Sequence, residues 1–203
     1  MCSSDLVAAV YRFMDAVAEG DVVHLFPAGA SEPEARLRFP RQRSGEGLSI
    51  ADYVLPPGEE GRDSVALFVV GAGAGVRERA EQAKARGEYL DSHVIQALAL
   101  ETAEATAEWL HRRLRELWGV PDPAEMSMKD RFAARYPGRR FSFGYPACPD
   151  LDQQAVLWRL LEPEEIGVHL TEGMMMDPEA SVSAVVVHHP DATYFSVGKP
   201  AGS

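Results

Sequence analysis

Asp91-Ser-His-Val-Ile-Gln-Ala-Leu-Ala-Leu-Glu-Thr-Ala-Glu104-Ala-Thr-Ala-Glu108-Trp-Leu-His111-Arg-Arg-Leu-Arg-Glu-Leu-Trp118 contains neither proline nor glycine, and Gly119 follows it as a stop. Alanine, leucine, glutamate and arginine dominate the stretch, and these are the residues that lose least on entering a helix. Val94, Leu98, Ala105 and Trp109 recur at helical spacing and predict one apolar stripe. At 1.5 Å per residue such a helix is about 40 Å long, enough to serve as the spine of a whole domain.

The segments on either side decide what the spine supports. Leu6, Val10, Phe13, Met14 and Val17 also recur at helical spacing, with Asp5 as N-cap and Gly20 as stop, so residues 5–18 are predicted as a helix. Val22–Phe26, closed by Pro27, reads as a strand, as do Ala35–Phe39 and the more apolar Ser64–Val70. Leu48–Leu55 leads into the break at Pro56-Pro57-Gly58, and a helix from about Gly75 to Arg86 ends at Gly87. Past the spine, residues 120–139 form a mixed connector with a short helix near Met126–Arg135, and another helix is predicted around Asp152–Leu161. Gly167–Met174, Ser181–His188 and Thr193–Val197, separated by Asp177-Pro178 and Pro190-Asp191, predict three strands of an antiparallel meander. Strands and helices mixed without βαβ regularity make the fold class α+β.

Composition narrows the function. A chain of 203 residues fits one domain with its own core. Acidic residues number 31 against 20 basic ones, a net charge of −11. That balance argues against a nucleic-acid partner, which needs clustered lysine and arginine, and against an anionic membrane surface. Two cysteines, Cys2 and Cys148, allow at most one disulfide, so a reduced, cytoplasmic protein is expected. No apolar run reaches the roughly 18 residues of a membrane span, and the start lacks the basic region of a secretory signal.

Several constellations invite a functional reading and admit a plainer one. Gly71-Ala-Gly73-Ala-Gly75 follows a strand and opens a helix, but dinucleotide sites use G-x-G-x-x-G, and Val76 stands where the third glycine belongs. A tight turn explains it as well. Glu108-Trp-Leu-His111 is a Glu-x-x-His on a helix, yet carboxylate-bridged metal bundles need a second copy, so a solvated polar face is the simpler account. His188 and His189 are neighbours on a strand and point to opposite faces, so they do not chelate one metal; no metal site is expected. Cys148 has no assignable base and reads as packing, and Met174-Met175-Met176 as filler at a strand end.

Arg140-Phe-Ser-Phe-Gly144-Tyr145-Pro-Ala147-Cys148-Pro149 is different in kind. Its prolines disfavour helix and central strand, and ordered irregular backbone carrying an arginine and a tyrosine commonly holds a ligand. Gly144 lets backbone approach a ligand closely, Arg140 offers a planar fork to a carboxylate, and the Tyr145 ring can face a cation. A rigid surface turn with Arg140 in an ordinary ion pair fits the same residues.

This decapeptide resembles the Arg-x-x-x-Gly-Tyr-Pro-Ala-Cys-Pro signature of the S-adenosylmethionine-binding activation domain of cobalamin-dependent methionine synthase. The resemblance extends from about residue 22 to 199, through Val22-Val-His-Leu-Phe-Pro-Ala28, Ser49-Ile-Ala-Asp52-Tyr53-Val-Leu-Pro56 and Ala97–His111. It continues through Glu165-Ile-Gly-Val-His-Leu-Thr-Glu172-Gly-Met174, Pro178-Glu-Ala-Ser-Val-Ser183 and His189-Pro-Asp-Ala-Thr-Tyr194-Phe195.

The resemblance implies a curved single domain around a twisted antiparallel sheet. It also implies a function: binding S-adenosylmethionine and donating its methyl group to inactive cob(II)alamin, with an electron from a flavodoxin-type donor, to restore methylcobalamin. Cobalamin would be held by a cobalamin-binding domain of methionine synthase, on the same or a separate chain. Carried over by motif, Arg140 grips the methionine carboxylate, and Gly144, Tyr145 and Ala147 form the loop lining the ligand, with Tyr145 near the cobalt face. Tyr194 and Phe195 match an aromatic pair at the nucleoside, the second commonly a tyrosine, and Glu104 matches a glutamate facing cobalamin. A second acidic position of the family is Ala134 here. The chain is expected to begin after the family's N-terminal segment, which carries an aspartate for the ligand ammonium, and to stop before its C-terminal extension. The alternative is a truncated, non-catalytic module that docks on a cobalamin-binding domain.

Overall fold

Ser64-Val-Ala-Leu-Phe-Val-Val70 runs through the centre of the molecule because both of its faces are apolar. A computed structural model describes residues 7–198. Six strands form one sheet, the inner four being β1 (Ala8–Glu19), β2 (Val22–Phe26), β4 (Asp63–Gly71) and β8 (Ser181–Val187), with β3 (Ala35–Arg38) and β5 (Arg139–Ser142) at the edges. The order is β3-β2-β1-β4-β8-β5, and every pairing is antiparallel. The sheet is curled, and the α+β class predicted from the sequence is the one observed.

Two helices cover one face of the sheet: α1 (Val76–Ala85) and the long α2 (Tyr89–Leu117). Ala66, Phe68 and Val70 of β4 and Val182, Ala184 and Val186 of β8 meet Ala103, Ala107, Leu110 and Leu114 of α2. The opposite face carries the larger core, with Met14, Leu25, Leu37, Leu67, Phe141, Val185 and Val187 from the strands. Ile50 and Tyr53 from a single helical turn and Leu157 from α4 (Gln154–Leu161) close this side. That turn is fixed by a capping box, in which Asp52 accepts from the Ser49 amide at 2.8 Å and the Ser49 hydroxyl accepts from Ala51.

Three expectations are corrected. Residues 8–19 form a strand rather than a helix; Asp5 and Leu6 lie outside the described residues. Met14, Ala16 and Ala18 are buried in alternation, and β1 is hydrogen-bonded to β2 on one side and β4 on the other. Pairing along both edges outweighs the helical periodicity of Val10, Phe13, Met14 and Val17. Gly20, read as a helix stop, instead takes φ +61° in the two-residue turn joining Glu19 to Val22.

The C-terminal meander also does not form. Only Ser181–Val187 joins the sheet, and both its edges are taken, by β4 and β5. Of Gly167–Met174, only β6 (His169–Leu170) is a strand, pairing with β7 (Met176–Asp177) in a separate ribbon, while Thr193–Val197 is irregular.

The third correction concerns α2. The predicted stripe faces solvent, with Leu98 65% and Trp109 63% exposed, and the alanine stripe packs instead. Phe68 and the valines already fill the sheet surface, so the helix that approaches it closely presents small side chains. The short helix of the connector, α3 (Met128–Phe132), lies within its predicted range.

Candidate functional site

Strand alternation sorts the signature residues onto two sides of β5. Arg140 pairs with Val186, which faces α2, whereas Phe141 pairs with Val185 on the larger core. Arg140 therefore reaches the helix: its Nη2 donates to Glu104 Oε2 at 3.1 Å and its Nη1 to Ser142 Oγ at 3.2 Å. The ion pair is half-covered, Arg140 at 18% and Glu104 at 44% exposure, and such pairs are worth ~0.2–1 kcal/mol. Two residues singled out for different reasons thus touch.

Beyond Ser142 the chain turns on itself. Gly144, at φ +83°, donates to the Cys148 carbonyl at 2.8 Å, and the Cys148 amide donates to the Tyr145 carbonyl at 2.9 Å. A Cβ on Gly144 would lie 2.9 Å from Leu151 Cδ2, so glycine is required by both backbone and space. The Pro146 carbonyl accepts from the Val197 amide at 3.0 Å, tying the loop to the C-terminal segment. Ala147 and Cys148 are buried, while the Tyr145 ring is half exposed.

An aromatic column stands on the other side of β5. Tyr53 stacks on Phe141 with ring centroids 6.2 Å apart, and Phe141 stacks on Tyr194, also at 6.2 Å. Tyr194 ends the column with its ring half exposed, and Phe195 lies buried beneath, tilted against Tyr53 and Phe141. Burial raises the Tyr194 hydroxyl above its ordinary pKa, partly offset by a hydrogen bond with the Ala147 backbone, with Tyr145 and Cys148 adding smaller upward effects. Of the predicted residues, then, Arg140, Tyr145 and Tyr194 present side chains outward, whereas the side chains of Ala147 and Phe195 support from within. Tyr53 and Phe141 complete the column; no site role was read for either.

The other constellations resolve structurally. A Cβ on Gly71 would lie 2.6 Å from Val168, and one on Gly73 would collide with Pro178, so this glycine run serves close packing. β4 has antiparallel neighbours on both sides, which removes the dinucleotide reading. Glu108 and His111 both converge on Tyr136, whose hydroxyl donates to Glu108 Oε1 at 2.7 Å and whose ring meets His111 edge-on. The Glu-x-x-His face is therefore a buried clasp on the connector rather than a solvated one. Burial, reinforced by Arg115, Arg140 and Arg139, holds His111 well below its ordinary pKa, hence neutral. His188 meets Asp63 at 2.8 Å and His189 packs on Tyr53, confirming that they point apart. Burial pushes the Cys148 thiol up to about 12, consistent with packing. The Met174 carbonyl accepts from Gln154 at 2.7 Å, Met175 is exposed, and Met176 packs on the larger core.

Comparison with known proteins places this arrangement. Residues 4–201 match the family described as "Vitamin B12 dependent methionine synthase, activation domain", and the chain belongs to that family. It is 39% identical over 204 residues to the methionine synthase of Mycobacterium tuberculosis (strain ATCC 25618 / H37Rv), covering 94% of this chain and 17% of that protein. The methionine synthase of Mycobacterium leprae (strain TN) is 36% identical over 202 residues, with the same 94% and 17% coverage. The chain thus spans about a sixth of the length of these curated relatives. Among solved structures, the MetH reactivation domain bound to AdoHcy superimposes with a TM-score of 0.90 at 30% identity, over 96% of this chain and 62% of that one.

Proposed function

We propose that the chain binds S-adenosylmethionine along the outer edge of β5 and presents its methyl group to cobalamin held by the cobalamin-binding domain of methionine synthase. The observation that carries this reading is the placement of three outward side chains around one edge strand. Arg140 stands on the α2 side, Tyr194 on the other, and Tyr145 past the strand's end. A ligand running along the edge reaches all three, and an edge strand offers it unpaired backbone donors and acceptors.

The residues fit the ligand's parts. The Arg140 fork suits its carboxylate, the Tyr194 ring with Phe141 behind it suits the flat base, and the Tyr145 ring suits a sulfonium. Gly144 and the buried Ala147 shape the loop, Phe195 backs Tyr194, and Tyr145 with Glu104 faces the docked cobalamin. Cobalamin held by that domain would supply a metal that, once reduced by one electron from a flavodoxin-type donor, could accept the methyl group, with S-adenosylhomocysteine as the leaving product. The chain's own contribution is alignment, since methyl transfer needs the sulfonium carbon in line with the cobalt. A net charge of −11 favours approach of a ligand with net positive charge.

Calorimetric titration of the 203-residue chain with S-adenosylmethionine and S-adenosylhomocysteine tests the reading. Saturable binding that Arg140→Ala reduces at least tenfold is the expected result. Absence of binding by the intact chain, alongside capture of a cobalamin-binding domain, would instead make it a docking module without independent ligand recognition.

A further inference from the structure

The sheet face that α2 covers is open at its other end. α2 packs on β4 and β8, whereas Arg36 and Arg38 of β3 and Glu19 of β1 stand exposed on the side of the sheet away from the larger core. A shallow hollow of about 460 Å³ lies there, lined by Glu19, Val22, His24, Arg36, Arg38 and Gln153. Arg36 and Arg38 are two positions apart on one strand, so they leave the same face with their Cα atoms ~6.6 Å apart. In the antiparallel register His24 stands directly opposite Arg36, and Val22 opposite Arg38. Gln153 anchors this edge, its Oε1 accepting from the Arg38 amide at 2.9 Å.

The charges here are uncompensated. Most arginines among the described residues meet a carboxylate, but the guanidiniums of Arg36 and Arg38 meet none among those residues. The carboxylate lining the hollow, that of Glu19, lies 3.5 Å from His24 Nε2 rather than against either arginine. In a chain of net charge −11, two adjacent arginines left without acids form a local exception.

We propose that this hollow binds a phosphate group, with Arg36 and Arg38 closing on it from two sides and His24 as a third donor. A planar carboxylate is satisfied by a single guanidinium fork. A phosphate monoester carries three terminal oxygens and roughly two negative charges, enough for two forks and an imidazole. Two arginines are too few for a nucleic-acid backbone, which needs a longer basic track. A second hollow, of about 370 Å³, shares Glu19 and His24 with the first and is lined by Val17, Phe26, Pro33 and Pro56. It gives the body of a phosphate ester an apolar place beside the charged end. β3 and β5 are opposite edges of the sheet, so this site does not depend on the S-adenosylmethionine reading. Arginines on an exposed edge strand also keep chains from pairing edge to edge, a role that needs no ligand, and the experiment separates the two.

Isothermal titration calorimetry of the 203-residue chain with inorganic phosphate and with phenyl phosphate, in chloride of matched ionic strength, tests the site. The expected result is saturable binding that Arg36→Gln and Arg38→Gln each weaken at least about fivefold. Arg79→Gln, which removes an exposed arginine of α1 outside both hollows, should change nothing. Arg36→Lys keeps the charge without the fork and should recover only part of the affinity. Tighter binding of phenyl phosphate than of phosphate assigns the site to an organic ester, and equal binding assigns it to the free ion.

Absence of saturation overturns the proposal and leaves a charged edge strand. So does an equal loss in Arg79→Gln, which would make the effect general screening by surface charge. Full recovery in Arg36→Lys would remove the fork geometry on which the choice of phosphate rests. As a second readout, phosphate should raise the melting temperature of the wild type and not of the paired glutamine variant, since a ligand held only by the native state stabilises it. Equal melting temperatures of the two proteins in chloride alone keep a folding defect from passing as lost binding.

Discussion

Arg115 Nη2 lies 2.7 Å from Asp122 Oδ1, with the two side chains only 1% and 2% exposed. The guanidinium also sits 3.7 Å over the ring of Tyr136. This clasp joins the C-terminal half of α2 to the connector that delivers β5, and so fixes where Arg140 begins. Breaking such a pair strands one buried charge, whereas removing both ends does not. Asp122→Ala is therefore expected to destabilise the fold by about 3–5 kcal/mol, and Arg115→Met with Asp122→Leu by distinctly less. Urea unfolding of the three proteins checks the order; equal losses in the single and double variants would remove the buried charge as the cause.

Two histidines should tilt the pH dependence of stability in opposite senses. The hydrogen bond with Asp63, outweighing burial, raises His188 above 6.5, and Asp63 is held below 3.8. A raised folded value means the stabilisation is complete below pH 6.5 and fades as pH climbs through the folded value. Asp63 remains ionised there, down to its own lowered value. His111 is held well below 6.5, so its contribution is present above pH 6.5 and is lost as pH falls toward its folded value. Hence the stability gap between wild type and His188→Gln should be larger at about pH 5.5 than at about pH 8.5. His111→Leu should flatten the loss of stability below about pH 6.5, and since neither ring nitrogen of His111 has a hydrogen-bond partner among the described residues it should not destabilise at about pH 8. Unfolding curves at the two pH values decide both signs.

Gly144→Ala places a side chain at φ +83° and 2.9 Å from Leu151 Cδ2. Left-handed backbone strain and the contact together should cost about 1–3 kcal/mol. Because the Gly144 and Cys148 backbone bonds close the loop beneath Tyr145, weaker binding of S-adenosylhomocysteine should accompany the loss. A variant as stable as wild type would show that the loop does not depend on that conformation.

Much of this molecule is legible from local chemistry, and the failures share one cause. Val22–Phe26 and the centre of β4 were readable because apolar β-branched runs bounded by proline or glycine have few other homes. Gly144 and Arg140 stood out through residue type alone, as a permissive backbone and a fork. Their neighbours did not: Glu104 lies 36 positions before Arg140, and contact between them follows only once α2 is laid along the sheet. Residues 8–19 fit two periodicities, and the choice was made by β2 and β4, not by the segment itself. Thr193–Val197 looked like a strand, but no edge beside β8 was left for it. Tyr53 and Phe141 come from a helical turn and an edge strand far apart in the sequence, a meeting that no local pattern encodes.

The two faces of α2 offer the sharpest contrast between what the sequence pattern suggests and how the helix packs. Leu98 and Trp109 are the large apolar residues of the pattern, yet both are mostly exposed. Ala103 and Ala107, at 1% and 0% exposure, sit against Phe68, Val182, Ala184 and Val186. Exposed positions tolerate polar replacement within about 0.5 kcal/mol, while added methylenes in a filled core cost about 1–3 kcal/mol or more. Leu98→Glu and Trp109→Glu should therefore leave the urea midpoint nearly unchanged, and Ala103→Leu or Ala107→Leu should lower it clearly. Helix propensity cannot produce this ordering, because leucine and alanine are both strong helix formers, so a large loss in the leucine variants must come from the helix–sheet contact. The reverse result, with the glutamate variants unfolding and the leucine variants intact, would mean that the helix presents its large apolar stripe to the sheet.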